Sequence, residues 1–149
     1  MPNASPAPLE ASAVQALIER EYPQLNAGGT AYRVTAVTKD GCVLALAAGE
    51  PHLRPGGTVS GPTLFTLADV GGFACALAHG GGDVLAVTTN VSINFMRKAR
   101  PGPIEARCRI LKLGRTLMVF EANIVGVGSD EPIAHAVGTY ALRVSDARA

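Results

Sequence analysis

The chain has 149 residues and a mass of 15.3 kDa, the size of one domain and too small for two ordinary ones. Apolar residues make up 48% and charged residues 17%, which excludes a disordered or solvating chain and predicts a packed core. Thirteen basic against 12 acidic residues give a net charge of +1, without the one-sign surplus of a dedicated phosphate-backbone binder, so no nucleic-acid partner is expected.

No run reaches the roughly 18 unbroken apolar residues of a membrane span, and the N-terminus has no basic segment ahead of an apolar one. A cytoplasmic protein with no membrane partner is expected. Cys42, Cys75 and Cys108 are widely separated and set among apolar residues, which reads as reduced, buried thiols rather than disulfides or a clustered metal site.

Residues 1–10 carry three prolines among small polar residues, a composition expected to form a flexible leader ahead of a single domain over 11–149. Val14, Leu17, Ile18 and Tyr22 recur at helical spacing and predict a short amphipathic helix that stops near Pro23. Thr30 to Ala48 is rich in Val, Thr and Leu around Lys39-Asp40-Gly41. This predicts a two-stranded hairpin in which Asp-Gly supplies the positive φ of a tight turn. A turn-rich stretch from Gly49 to Gly57 then leads through Ser60-Gly61-Pro62 into a long apolar run. With Ser60 or Gly61 capping, Pro62 at the first helical position and Gly80 to Gly82 stopping it, a helix is expected over roughly 61–79.

Val87, Thr89, Val91, Ile93 and Phe95 alternate with Thr88, Asn90, Ser92 and Asn94. This is the clearest strand of the chain, with the four polar residues on one face. Runs over 104–113, 116–127 and 133–144 predict three more strands in an antiparallel meander. Helix, two strands, long helix and four strands describe an α+β domain. Because the long helix is apolar on every side between Pro62 and Ala78, a strongly curved sheet or a partner subunit has to surround it.

Asp69 is the single charged residue between Pro62 and Ala78, and Asp is a poor residue for a helix interior. An unpaired buried carboxylate is costly, so this one is exposed at a cleft, paired or neutralised. A functional site keeps such a group, and so does an ion pair at a subunit contact. The turn Gly56 to Pro62 opens onto a helix N-terminus, where free N–H groups and the dipole favour developing negative charge. An oxyanion hole and an ordinary capped turn share that description, and neither phosphate-binding loop pattern is present. Gly61 and Asp69 are eight residues apart, roughly 12 Å along a helix. One chain's pair therefore cannot meet at one carbonyl, and a shared substrate requires a two-fold dimer with two identical sites.

Ser60, His52, His79 and His135 form neither a nucleophile elbow nor a zinc spacing, so no metal is expected. Arg97, Lys98 and Arg100, with Lys112 and Arg115 around the later hairpin, read either as a holding site for a phosphorylated carrier or as solubilising charges.

The run from Gly57 to Asp69 (Gly-Thr-Val-Ser-Gly-Pro-Thr-Leu-Phe-Thr-Leu-Ala-Asp), the run from Val87 to Lys98 and the hairpin Leu111-Lys-Leu-Gly-Arg-Thr116 follow one another in order. Together they resemble the PaaI-like branch of the hotdog-fold acyl-CoA thioesterases, over roughly residues 30–144. The resemblance implies a curved antiparallel sheet of about five to six strands wrapped round one long helix, a thioester-hydrolysing site at a homodimer interface, and dimers paired into a homotetramer. It implies that Asp69 is the catalytic base or nucleophile, that Gly61 N–H polarises the thioester carbonyl, and that Thr88 positions the water. Arg54, Ser60 and Asn90 are the further candidates for binding substrate, with Arg97, Lys98 and Arg115 bordering the nucleotide. Coenzyme A enters as part of the substrate, with no separate cofactor.

The chain departs from the family pattern at Ser60-Gly61-Pro62, where His-Gly-Gly is usual, and at Arg54, where Asn is frequent. The leading expectation is hydrolysis of a small, medium or aromatic acyl-CoA. The alternative is a catalytically silent module that binds acyl-CoA or a related ligand. A hydratase on the same fold would need a histidine base in the helix region, where Asp69 has no neighbouring His.

Overall fold

The structure, a computed structural model, describes residues 7–143. Its elements are α1 (Ala11–Glu21), β1 (Tyr32–Thr38), β2 (Gly41–Ala48), α2 (Gly61–His79), β3 (Val87–Phe95), β4 (Gly102–Leu113), β5 (Leu117–Gly126) and β6 (Pro132–Ala141). The strands form one antiparallel sheet in the order β1-β2-β4-β5-β6-β3. This curved sheet wraps α2, the hotdog arrangement that the all-round apolar helix requires. Residues 1–6 of the expected leader and 144–149 at the other end lie outside the described residues. Within the remainder of that leader, Leu9 donates its N–H to Ala78 O at 2.9 Å and packs against the core.

α2 is buried along nearly its whole length, with Leu67, Ala74, Cys75, Ala76 and Leu77 fully enclosed. Each fully buried leucine contributes about 2 kcal/mol of apolar transfer. It is the one described helix long and apolar enough to cross a membrane, and here it is the core of the domain. Two adjacent glycines set how closely it approaches the sheet. A Cβ at Gly72 would come 2.3 Å from Cζ of Phe120, and one at Gly71 would come 2.5 Å from Cys108 Sγ. Phe120 faces Gly138 across the β5–β6 pair, where a Cβ would also collide with its ring at 2.7 Å. The aromatic side chain thus fills space left by a glycine of the helix and a glycine of the neighbouring strand.

α1 covers the β1 edge with Val14 and Ile18, but its third buried residue is polar. Gln15 Oε1 accepts from Val34 N at 2.7 Å, which satisfies an N–H on an edge strand that would otherwise be buried without a partner.

Two expectations are corrected. The first hairpin turns at Lys39-Asp40, with Thr38 paired to Gly41, and Gly41 does not take positive φ. Glycine is required there for a different reason: a Cβ would overlap Cys108 O at 1.8 Å. The cysteines, far apart in sequence, meet in space. Cys42 and Cys108 are register partners on β2 and β4, and Cys75 descends from α2 onto them, so all three Sγ atoms lie within 4.8 Å of one another. Sequence separation carries no information about such a meeting, because sheet register and helix docking create it.

Candidate active site

The loop before α2 is held by the chain it crosses. Val59 donates to Ala99 O at 2.8 Å, Ser60 N donates to His52 O at 2.9 Å, and Leu53 bridges Val59. Ser60 is the N-cap: its Oγ accepts from Thr63 N at 3.2 Å and donates to Thr63 Oγ1 at 2.8 Å. Leu64 N–H is engaged by Ser60 O, and Pro62 has no N–H. Of the first four helical residues, Gly61 alone therefore retains an N–H without a protein partner among the described residues, and the helix dipole adds to it.

Two turns further along the same helix, half-buried Asp69 accepts from Thr88 Oγ1 at 2.8 Å, on Oδ1. The Tyr140 hydroxyl lies 2.9 Å from the same Oδ1 and 2.8 Å from the Asp69 carbonyl oxygen. Thr88 reaches the helix because the β3–β6 pairing is irregular. Thr88 opposes Tyr140 but Asn90 opposes Thr139, leaving Thr89 as an extra residue. This bulge corrects the expectation of one polar face: Thr88 shares the helix side with Tyr140, while Asn90, Ser92 and Asn94 lie on the outer face. A pocket of about 260 Å³ opens at Asp69 and is lined by Thr88, Tyr140, Phe73 and Tyr22. Burial, followed by the nearby Asp69 charge, holds the Tyr140 phenol well above its ordinary range, so it remains a donor.

Gly61 lines a separate pocket of about 330 Å³ together with Arg54, Phe95, Arg97 and Lys98. The structure thus brings Gly61, Arg54, Arg97 and Lys98 together at the Phe95 end of β3, with Asp69 and Thr88 at its other end. Arg97 is partly engaged there, through a 2.6 Å ion pair with Glu131 and a bond to Pro132 O. Arg115 lies in the β4–β5 turn, whose Thr116 O accepts from Leu142 N, so it sits at the end of the sheet where β3 starts, with β5 and β6 between them, and it does not line the Asp69 pocket. Asn90 is exposed and joins neither group. Each histidine ring has a structural partner: Gly49 N for His52, Gly41 O for His79 and Glu121 Oε1 for His135.

Tyr140 is the site residue that the sequence reading missed. A buried tyrosine needs a partner for its hydroxyl, and a half-buried aspartate needs donors. Only the β3–β6 register joins the two requirements.

The thioesterase superfamily matches residues 56–132, a span that holds the cap, all of α2, the bulged strand and the next two strands. The chain belongs to the thioesterase superfamily. Among relatives of this superfamily, a Silicibacter sp. protein described as a "putative thioesterase" is 40% identical and superimposes with a TM-score of 0.81 over 91% of this chain and 92% of its own. A Pseudomonas aeruginosa protein named "putative esterase PA0474" is 34% identical over 102 residues, 67% of this chain and 74% of that protein. A point mutant of the phenylacetic acid degradation protein PaaI of Thermus thermophilus shares the fold, with 24% identity and a TM-score of 0.69 over 81% of this chain and 99% of its own. The fold is the PaaI-like hotdog, and superfamily membership supports thioester hydrolysis as the activity.

Proposed function

We propose that this protein is an acyl-CoA thioesterase, acting on a small, medium or aromatic acyl group at a site formed between two copies of the chain. The observation that carries the reading is the placement of Gly61 and Asp69 against opposite ends of one exposed edge strand. Gly61 lies by Phe95 and Asp69 is bonded to Thr88. Two β3 edges paired antiparallel across a two-fold axis bring the Phe95 end of one copy to the Thr88 end of the other. Gly61 N–H of one subunit and the partner's Asp69 then address one substrate, and a homodimer holds two such sites. The same pairing carries Arg115 toward the partner's Arg97 and Lys98, giving a basic rim for the phosphates of coenzyme A. Arg54 faces the same pocket as Gly61. Pairing of dimers into a homotetramer is part of the proposal, and reduced thiols fit a cytoplasmic location.

In this reading the thioester carbonyl oxygen accepts from Gly61 N–H, which stabilises the oxyanion as it develops. Asp69 removes a proton from water as the water attacks the carbonyl carbon, or attacks that carbon itself and is released by water in a second step. The C–S bond breaks as the tetrahedral intermediate collapses, the coenzyme thiolate takes the proton, and the carboxylic acid leaves. Loss of one oxyanion donor costs about 3 kcal/mol of transition-state stabilisation.

The test is free-thiol release from a panel of acyl-CoAs with wild type, Asp69→Ala and Gly61→Pro, each alone and with the two variants mixed after subunit exchange. Each variant alone is expected to fold and to lose about a hundredfold or more of the activity. The mixed heterodimers contain one site with both lesions and one intact site, so random reassortment restores about a quarter of wild-type activity. No recovery on mixing would place the site within one chain. Binding of acyl-CoA by wild type without thiol release would replace hydrolysis with a silent binding module.

A further inference from the structure

Both side-chain donors at Asp69 go to the same oxygen. Thr88 Oγ1 and the Tyr140 hydroxyl approach Oδ1 at 2.8 and 2.9 Å, and among the described residues no donor approaches Oδ2. A carboxylate turns easily about its terminal torsion, which has broad wells. Two donors on one oxygen remove that freedom and present the other oxygen to the pocket.

Tyr140 is itself firmly placed. It is buried, it faces Thr88 across the β3–β6 pair, and its ring stacks on Phe73 at 6.2 Å and packs against Phe120 at 6.0 Å. The hydroxyl also reaches the Asp69 carbonyl oxygen at 2.8 Å, which ties the strand to the helix turn that carries the carboxylate. Neither contact requires a substrate or a second subunit.

We propose that Tyr140 is a positioning residue: with Thr88 it holds Oδ1 of Asp69, so that Oδ2 is the oxygen that takes the proton from water or attacks the thioester. The inference rests on the role proposed for Asp69, and Tyr140 acts through that carboxylate.

Tyr140→Phe removes one oxygen and keeps the ring between Phe73 and Phe120, so the variant folds. Thiol release by Tyr140→Phe is expected to fall about tenfold in kcat with KM within about twofold of wild type. Thr88→Val, which loses the donor, is expected to fall further in kcat than Thr88→Ser, which keeps it, and Tyr140→Phe adds no further loss in an Asp69→Asn background. Wild-type kcat in Tyr140→Phe overturns the proposal, and so does a raised KM with unchanged kcat, which would mark a substrate contact. Crystal structures of wild type and Tyr140→Phe supply a readout that needs no turnover. The Asp69 carboxylate is expected in one orientation in wild type and in more than one in the variant, and a single unchanged orientation overturns the proposal. Absence of thiol release by wild type would count against the thioesterase reading alone, because the carboxylate orientation would still decide the role of Tyr140.

Discussion

Gly61 lies against the ring of Phe95 with room for one more carbon: a Cβ at position 61 would come 3.5 Å from the ring's Cζ. The methyl of alanine is therefore accommodated, and proline suits the first turn of a helix. Ser60 already has φ −72° and ψ 153°, the extended conformation that a following proline demands. Gly61→Pro deletes the N–H, whereas Gly61→Ala keeps it, and since both place a Cβ before Pro62, circular dichroism of the two variants checks that the fold is kept. Thiol-release kinetics are expected to show kcat/KM lower by about 10²–10³-fold in Gly61→Pro and by less than about tenfold in Gly61→Ala. Equal activity of the two would remove Gly61 N–H from the mechanism.

Gly72→Ala sets two effects against each other. Helix propensity alone favours alanine by about 1 kcal/mol. The new methyl, however, would lie 2.3 Å from the Phe120 ring, which also packs closely on Gly138 of the neighbouring strand. Overpacking of this kind costs about 1–3 kcal/mol, and steric cost is expected to prevail. Urea denaturation should show a lower midpoint for Gly72→Ala, partly recovered by adding Phe120→Leu. A variant more stable than wild type would mean that the helix shifts freely over the sheet.

The limits of α2 were legible in the sequence, residue for residue, because cap, proline and terminal glycines are local signals read by a single helix. The apolar circumference of that helix foretold the wrapped sheet, and the lone Asp69 pointed to the candidate site. What stayed hidden depends on register. A one-residue bulge in β3 moves Thr88 to the helix side and leaves Asn90 outside, and period-two counting cannot see it. Tyr140 and the cysteine trio are likewise products of which residue faces which across strands. Gly41 is present for a cross-strand clash rather than for its turn, so the right residue carried the wrong reason.

The three thiols predict a chemical inertness that a surface cysteine would not show. Cys42, Cys75 and Cys108 have relative exposures of 1%, 0% and 6%, and Cys42 Sγ lies 3.2 Å from Cys75 Sγ. Reagent reaches them only when β2, α2 and β4 separate. Titration with an aromatic disulfide reagent is expected to detect no fast-reacting thiol in the native protein and all three after denaturation. A stoichiometric fast phase under native conditions would show that the α2–sheet contact opens readily.

On the outer face of the sheet, Glu121 is bonded through Oε1 to His135 at 3.0 Å and through Oε2 to Arg109 at 2.6 Å. The His135 hydrogen bond, and then the Arg109 guanidinium, hold its carboxyl below the ordinary carboxylate range. A carboxyl whose folded value is depressed stabilises the fold above its unfolded value and loses that contribution as pH falls through the folded one. Glu121→Gln is therefore expected to lower stability at pH 7 by about 1 kcal/mol or less, since the group is partly solvated. The difference in Tm between wild type and variant should shrink through the acidic range and disappear once Glu121 is protonated in both states. A difference that persists unchanged at low pH would assign the loss to packing against the neighbouring strands instead of to charge.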